Sequence, residues 1–169
     1  RINKGIYAGD LSAIIMKNFP LWVEQRRVPK LSVALMKDWE QKISQMAKLT
    51  SQEDVSNISG VPSWTLVFLK RMLEITGKSS IKAVWPNIEF YMHGGVNFDP
   101  YQSQFDKLFP NNSLNYYENY NASEGFFGIQ DKSNVKEMLL MLDYGIFYEF
   151  IEVKEFDKEI PKIITLEEV

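Results

Sequence analysis

The chain has no cysteine and a single histidine, His93, among its 169 residues. Without thiols there is no disulfide scaffold and no cysteine nucleophile, and the composition suits a reducing compartment. A lone histidine cannot build a metal cluster, and catalysis by it needs partners that the sequence does not place. His93 therefore reads as structural, or as a contact behind a site. Positive charge is not in excess: 19 Lys and Arg stand against 22 Asp and Glu, a net charge of −3. That excludes the basic surface that a nucleic-acid partner requires. No apolar run approaches the roughly 18 residues of a membrane span, and no charged-then-apolar leader opens the chain. The expectation is a soluble, cytoplasmic protein with neither a nucleic-acid nor a membrane partner. There is no GxxxxGK[ST] phosphate loop, no internal repeat, no low-complexity tract and no linker rich enough in Gly, Pro or Ser to divide the chain.

What is present is core-forming material. Hydrophobic residues make up 45% and aromatics 14%, enough to bury a substantial interior in one domain. Asp10 can cap a helix that begins at Leu11, carries Ile14 and Ile15 on one face and stops at Pro20. Arg26-Arg27 can meet a phosphate, although such pairs are usually solvated corners. Residues Ser32 to Lys48 read as one long amphipathic helix with Leu35, Met36, Trp39, Ile43 and Met46 as its stripe, a pattern that usually means core. Thr50-Ser51-Gln52-Glu53 has the form of a capping box and predicts a short helix near Ser56. Pro62 opens an almost wholly apolar helix, predicted to be largely buried, that Gly77 ends.

The second half reads as strand-rich. Ile88–Met92 is a short strand ending in His93-Gly94-Gly95, where the double glycine marks a tight turn or a close backbone approach to a flat ligand. Asp99-Pro100 starts a helix that ends near Phe109-Pro110. Leu114–Tyr120 is the central strand, and it leads into a polar turn, Asn121-Ala122-Ser123-Glu124-Gly125, backed by Phe126 and Phe127. On residues alone this is either a strand exit built from turn formers or a site offering a hydroxyl and a carboxylate between aromatic walls. Asp131–Asn134 reads as a polar loop, and Met138–Leu142 and Ile146–Val153 as a hairpin about Asp143-Tyr144-Gly145. A last strand begins at Ile163. The whole predicts an α/β fold, a mixed sheet with flanking helices. The chain opens on Arg1 and closes on Leu166-Glu167-Glu168-Val169, which reads as an unfinished strand. The expectation is a piece of a longer protein.

Tyr120-Asn121-Ala122-Ser123-Glu124-Gly125 resembles the second nucleotide-binding motif of the GH3 (auxin-responsive) acyl-acid amido synthetases, members of the acyl-adenylate-forming superfamily. Gly60-Val61-Pro62-Ser63-Trp64, Trp85-Pro86-Asn87, His93-Gly94-Gly95-Val96 and Tyr148-Glu149-Phe150-Ile151 resemble the same family in the same order, most closely its bacterial members. The resemblance implies that residues 1–169 are part of an N-terminal adenylation domain. The upstream Ser/Thr/Gly-rich phosphate loop, the ribose-binding acid and the C-terminal domain with its catalytic lysine are not in this sequence. It implies ATP and Mg²⁺ as cofactors and a reaction in which a carboxylic acid is adenylated and then passed to an amino acid or other amine. Glu124 would be the catalytic carboxylate and Mg²⁺ ligand, and Ser123 a donor to the α-phosphate. Tyr120 and the Asn121-Ala122 backbone would flank the adenine, with Gly94 and Gly95 beside it. Ala122 departs from the first serine of the plant motif and removes one hydroxyl. The region around Gly60 would lie toward the acyl substrate. The alternative is a non-catalytic nucleotide- or protein-binding module that keeps the fold.

Overall fold

The computed structural model describes residues 11–132 and 135–169. Asp10, the expected first cap, and the end of the Asp131–Asn134 loop lie outside them. The described residues open with α1 (Leu11–Lys17), α2 (Leu21–Glu24), α3 (Leu31–Ala34) and α4 (Trp39–Thr50). There follow β1 (Asn57–Ser59), α5 (Pro62–Thr76), α6 (Ile81–Val84), β2 (Phe90–Gly94), α7 (Asp99–Leu108), β3 (Asn115–Ala122), β4 (Gly125–Ile129), β5 (Leu139–Leu140), β6 (Glu149–Ile151) and β7 (Ile163–Thr165). Strands β1 to β5 form one mixed sheet in sequence order, and β6 and β7 pair separately. The β1–β2 and β2–β3 pairs are parallel, joined through helices; β3–β4 and β4–β5 are antiparallel. The mixed sheet with flanking helices is as the sequence predicts, with β3 at its centre.

Local chemistry explains where the elements fall. The predicted 32–48 helix is two helices, because Asp38 takes an extended backbone and its carboxylate accepts the Gln41 N–H at 2.8 Å, starting a new helix. The apparent capping box at Thr50 is instead the end of α4. Its Oγ1 donates back to the Met46 carbonyl, and the chain then enters β1 where a helix was expected. Helix α5 behaves as predicted at both ends. Pro62 sits in its first turn, and Gly77, at φ 66°, closes it with an N–H to Leu73 O. It is not buried all round: Trp64 is 57% exposed, with Val67 and Ile75 also outward. The expected hairpin about Asp143-Tyr144-Gly145 does not form. β5 joins β4 and β6 joins β7, since pairing is settled by what lies alongside in space, which short strands do not advertise.

The core lies between α4, α5 and α7 and one face of the parallel strands. It holds Leu66, Leu69, Met72, Ile81, Trp85, Ile88, Tyr91, Phe105 and Phe109. β2 alternates strictly, with Tyr91 and His93 buried between half-buried neighbours, the two-residue period of a sheet with one covered face. The Tyr91 ring stacks on Phe105 at 4.9 Å and meets Phe98 edge-on at 6.1 Å. Its hydroxyl donates to Gly60 O at 2.7 Å. Burial pushes that phenol well above its usual range. Trp85, 2% exposed, donates its indole N–H to Thr50 O at 2.7 Å and so pins the end of α4 to the core. Arg27 forms a two-pronged ion pair with Glu24, its nitrogens 2.6 and 2.8 Å from the carboxylate oxygens, so this basic pair is structural at Arg27.

Trp85→Phe is expected to lower stability by about 1–2 kcal/mol, since it removes the indole hydrogen bond to Thr50 O, which then keeps only the Glu53 N–H, and removes buried area. Urea denaturation of the two proteins checks this, and an unchanged midpoint would show that the α4 anchor is dispensable.

Candidate functional site

The parallel half of the sheet determines where a site can stand. β1, β2 and β3 all point the same way, so their carboxyl ends share one edge. In open α/β sheets that edge is where ligands bind. It collects Gly60 after β1, Gly94-Gly95 at the end of β2, and the far end of β3 with the turn that follows.

Gly94 is paired in register with Asn119. A Cβ on Gly94 would lie 2.3 Å from Asn119 O and 2.9 Å from Asn119 Oδ1. No other residue fits there without moving a backbone. Gly95 has φ 82°, the left-handed region that costs glycine little, and it approaches Val61 at the entry to α5. The double glycine thus brings β2 close to β3 and to the start of α5.

The turn is tighter than the sequence implies. β3 continues through Ala122, which pairs with Gly125, so the connection to β4 is Ser123-Glu124 alone. Both are exposed. The ladder slips by one residue after Tyr120: Tyr120 faces Gly128, whereas Asn121 faces Phe126, leaving Phe127 as the extra residue. Phe127 packs its ring against Tyr120 with centroids 5.3 Å apart, and Tyr120 remains 57% exposed. Its free face is a flat apolar surface on the strand that leads into the turn. Since β2 ends at Gly94, β3 outruns it: Tyr120, Asn121 and Ala122 have no strand partner on the β2 side. Behind the turn, a Cβ on Gly125 would meet Ile146 Cδ1 at 2.8 Å, and Tyr144 packs on Phe126 with rings 6.2 Å apart. The 144–146 segment therefore buttresses the motif.

Tyr120, Asn121, Ala122, Ser123 and Glu124 thus lie on one hairpin end, and Gly94 touches the residue that begins it. Sequence reasoning missed Asn119 and Ile146. The first has the only readable signal, its place just ahead of the motif; the second depends on a contact across twenty-one residues. Among the described residues there is no group of three His, Cys, Asp or Glu that holds a metal unaided. One exposed carboxylate fits Mg²⁺ all the same, because that ion takes one or two carboxylates and fills its remaining positions with water and substrate phosphates.

His93 lies directly behind Gly94. It is 3% exposed and stacked on Phe98 at 4.2 Å, and its buried Nδ1 has no hydrogen-bond partner. Burial lowers the imidazole from 6.5 to about 4, so it is neutral near pH 7 and serves packing, as expected. An open groove of about 370 Å³ is lined by Leu142 and residues 146–148 together with Thr165 and Leu166. Ile146 both lines it and touches the turn.

Parallel strands crossed by helices, with an open carboxyl edge carrying a double glycine and a polar turn, define a mixed α/β domain. Residues 2–114 match the model of the GH3 family N-terminal domain; this is more than half of the chain, and the chain belongs to the GH3 family. The match ends at Leu114, just before β3, so it covers Gly60, Gly94 and Gly95 and stops short of the Tyr120–Gly125 turn. Searches of curated proteins and of solved structures each returned no match. No helix among the described residues is long and apolar enough to cross a membrane.

His93 makes folding pH-dependent with a definite sign. The unfolded imidazole takes up a proton near pH 6.5 and the folded one only near 4, so the unfolded state gains the advantage between those values. The contribution is fully present above pH 6.5 and is lost as pH falls toward 4. Relative to His93→Phe, the native protein should lose about 3 kcal/mol between pH 7 and pH 4. Parallel slopes in the two denaturation series would refute it.

Proposed function

We propose that the chain forms the nucleotide side of an acyl-adenylate-forming amido synthetase. The observation that carries this reading is the meeting of two separate sequence features at one sheet edge. Gly94-Gly95, within the family match, and the Tyr120–Gly125 turn, beyond it, are joined through Asn119. In the reaction, a substrate carboxylate oxygen attacks the α-phosphorus of ATP and pyrophosphate leaves. The amine of an amino acid or related compound then attacks the acyl carbon, AMP leaves, and the nitrogen gives up a proton. The demand on the protein is to hold anions in line and to stabilise moving charge.

The residues divide that work. The outer face of Tyr120 offers a stacking surface for the adenine. The strand edge at Asn121-Ala122, unpaired on the β2 side, offers backbone groups to the ring. Gly94 and Gly95 keep side-chain atoms out of that approach. Ser123 donates its hydroxyl to the α-phosphate, and Glu124 contributes the protein's oxygen to Mg²⁺. Glu124 would hold Mg²⁺, whose positive charge would be available to offset the charge gathering on the leaving pyrophosphate. The acyl acid and the amine are small molecules whose pockets draw on residues outside this turn.

A second reading is a binding module that keeps the fold without the chemistry. The Trp39–Trp64 pair favours it, with rings 4.6 Å apart on the outer face of α4 and α5 and Trp64 57% exposed, since exposed aromatics suit partner surfaces. Quenching of tryptophan fluorescence by a protein or peptide and not by ATP would support it.

Titration calorimetry is expected to show Mg·ATP binding, weakened about tenfold or more in Glu124→Ala, as suits the loss of a charge-assisted contact. Equal affinity in the variant would overturn the role of Glu124. The resemblance implies a phosphate loop and a catalytic lysine beyond the residues given, so ATP–pyrophosphate exchange by the 169-residue chain alone is expected to be absent. Exchange that Glu124→Ala abolishes would show that the chain suffices.

A further inference from the structure

We propose that Asn119 is the positioning residue of this site and that it fixes which end of the Asn121 amide faces a ligand. The inference rests on the nucleotide reading above. Asn119 stands at the crossing of three strands, in register with Gly94 on β2 and with Ile129 on β4. Its side chain leans over β2, with Cγ 3.3 Å and Oδ1 2.9 Å from the place a Gly94 Cβ would occupy. Its Nδ2 donates to Asn121 Oδ1 at 2.8 Å. Residues two apart on a strand share a face, so this bond runs along β3 from the last β2-paired residue into the unpaired end.

The position of the bond matters. The β3–β4 register slips between Tyr120 and Asn121, and a bulge locally disrupts the ladder that otherwise orients a strand. The bond from Asn119 to Asn121 spans that slip and restores the hold. It also has polarity. With its oxygen engaged, the exposed Asn121 side chain presents its NH₂ as the free end. An amide donor suits an acceptor such as a phosphate oxygen. Aspartate at position 119 can only accept, so it would hold Asn121 by the NH₂ and turn the carbonyl outward. Gly94 belongs to the same device: any larger residue there would displace the Asn119 side chain and its own backbone carbonyl.

The test uses the 169-residue chain, Mg·ATP as the probe, and Asn119→Ala, Asn121→Ala, the double variant and Asn119→Asp. Far-UV circular dichroism and urea midpoints report folding, and ¹⁵N-edited NMR of the Asn121 side-chain amide, without nucleotide, reports the bridge. Asn119→Ala and Asn121→Ala should each weaken Mg·ATP binding about 5- to 10-fold, the worth of one hydrogen bond. The double variant should be no weaker than the weaker single one, because Asn121 acts only when held. Asn119→Asp should keep the Asn121 amide ordered yet leave affinity reduced, whereas a merely structural role would be rescued. Wild-type affinity in Asn119→Ala, fold-losses that multiply in the double variant, or full recovery in Asn119→Asp would each overturn the inference. If Asn119→Ala does not fold, Asn121→Ala, at an exposed position, decides in its place: wild-type affinity overturns the inference. If the native chain fails to bind Mg·ATP, the nucleotide reading falls by itself. The bridge is then judged by whether the Asn121 amide resonances move in Asn119→Ala, and unmoved resonances overturn it.

Discussion

The structure depends on Tyr91. Its ring is fully buried and stacked on Phe105, so it couples the sheet to α7. Its hydroxyl holds the carbonyl of Gly60 and reaches Thr65 Oγ1 at 3.3 Å. One side chain therefore joins the hydrophobic interior to the loop that launches α5. A buried hydroxyl without a partner costs more than a made bond contributes, which makes the Gly60 turn part of the core's own requirements. The same strand then exposes its carboxyl end through Gly94 and Gly95. Packing on one side of β2 thereby sets the geometry at its tip, and a site built there inherits the rigidity of the core.

That dependence explains which features were legible in the sequence. The α5 boundaries, the β2 strand and the α7 start depend on Pro62, Gly77, the Tyr91/His93 alternation and Asp99-Pro100. Each acts through backbone chemistry within a few residues and shows in a single chain. The failures have a different cause. Residues 32–48 carry a continuous helical stripe, but the Asp38 carboxylate competes for the backbone at Gln41 and splits it; a cap inside a periodic run is invisible to periodicity. Thr50-Ser51-Gln52-Glu53 satisfies a start pattern while lying at an end, where Thr50 bonds back to Met46. The 144–146 segment looks like a hairpin turn locally, yet Ile146 is claimed by Gly125 and Tyr144 by Phe126.

The candidate site was legible in its parts and not in its assembly. The residues of the turn stand together in the sequence and needed only to be read as one unit. That the double glycine comes to rest beside them follows from the parallel register of β2 and β3, with Gly94 opposite Asn119, and a parallel register depends on a crossover helix whose docking no local pattern encodes. Two-residue economy at Ser123-Glu124 was equally hidden, because Asn121 and Ala122 are turn-compatible residues that the sheet extends as strand.

An exposed two-residue turn would ordinarily be a poor place for precise chemistry, since exposed hairpin ends are held by little. Here it is braced on three sides. The Phe127 ring supports Tyr120 from β4, Ile146 supports Gly125 from behind, and Asn119 ties Asn121 to the β2 side. These contacts leave exposed the groups that would meet a ligand, the Ser123 hydroxyl and the Glu124 carboxylate, while fixing the backbone that carries them. Preorganised polar groups on a rigid support act on developing charge without first paying to reorganise. A turn serving only to reverse the chain has no need of bracing on three sides, and the two residues it leaves exposed would be free to be any turn formers. On the proposed reading, the braces hold the backbone of Ser123 and Glu124 in place at the open end of the sheet, and the exposed side chains it carries are available to a transferring phosphate.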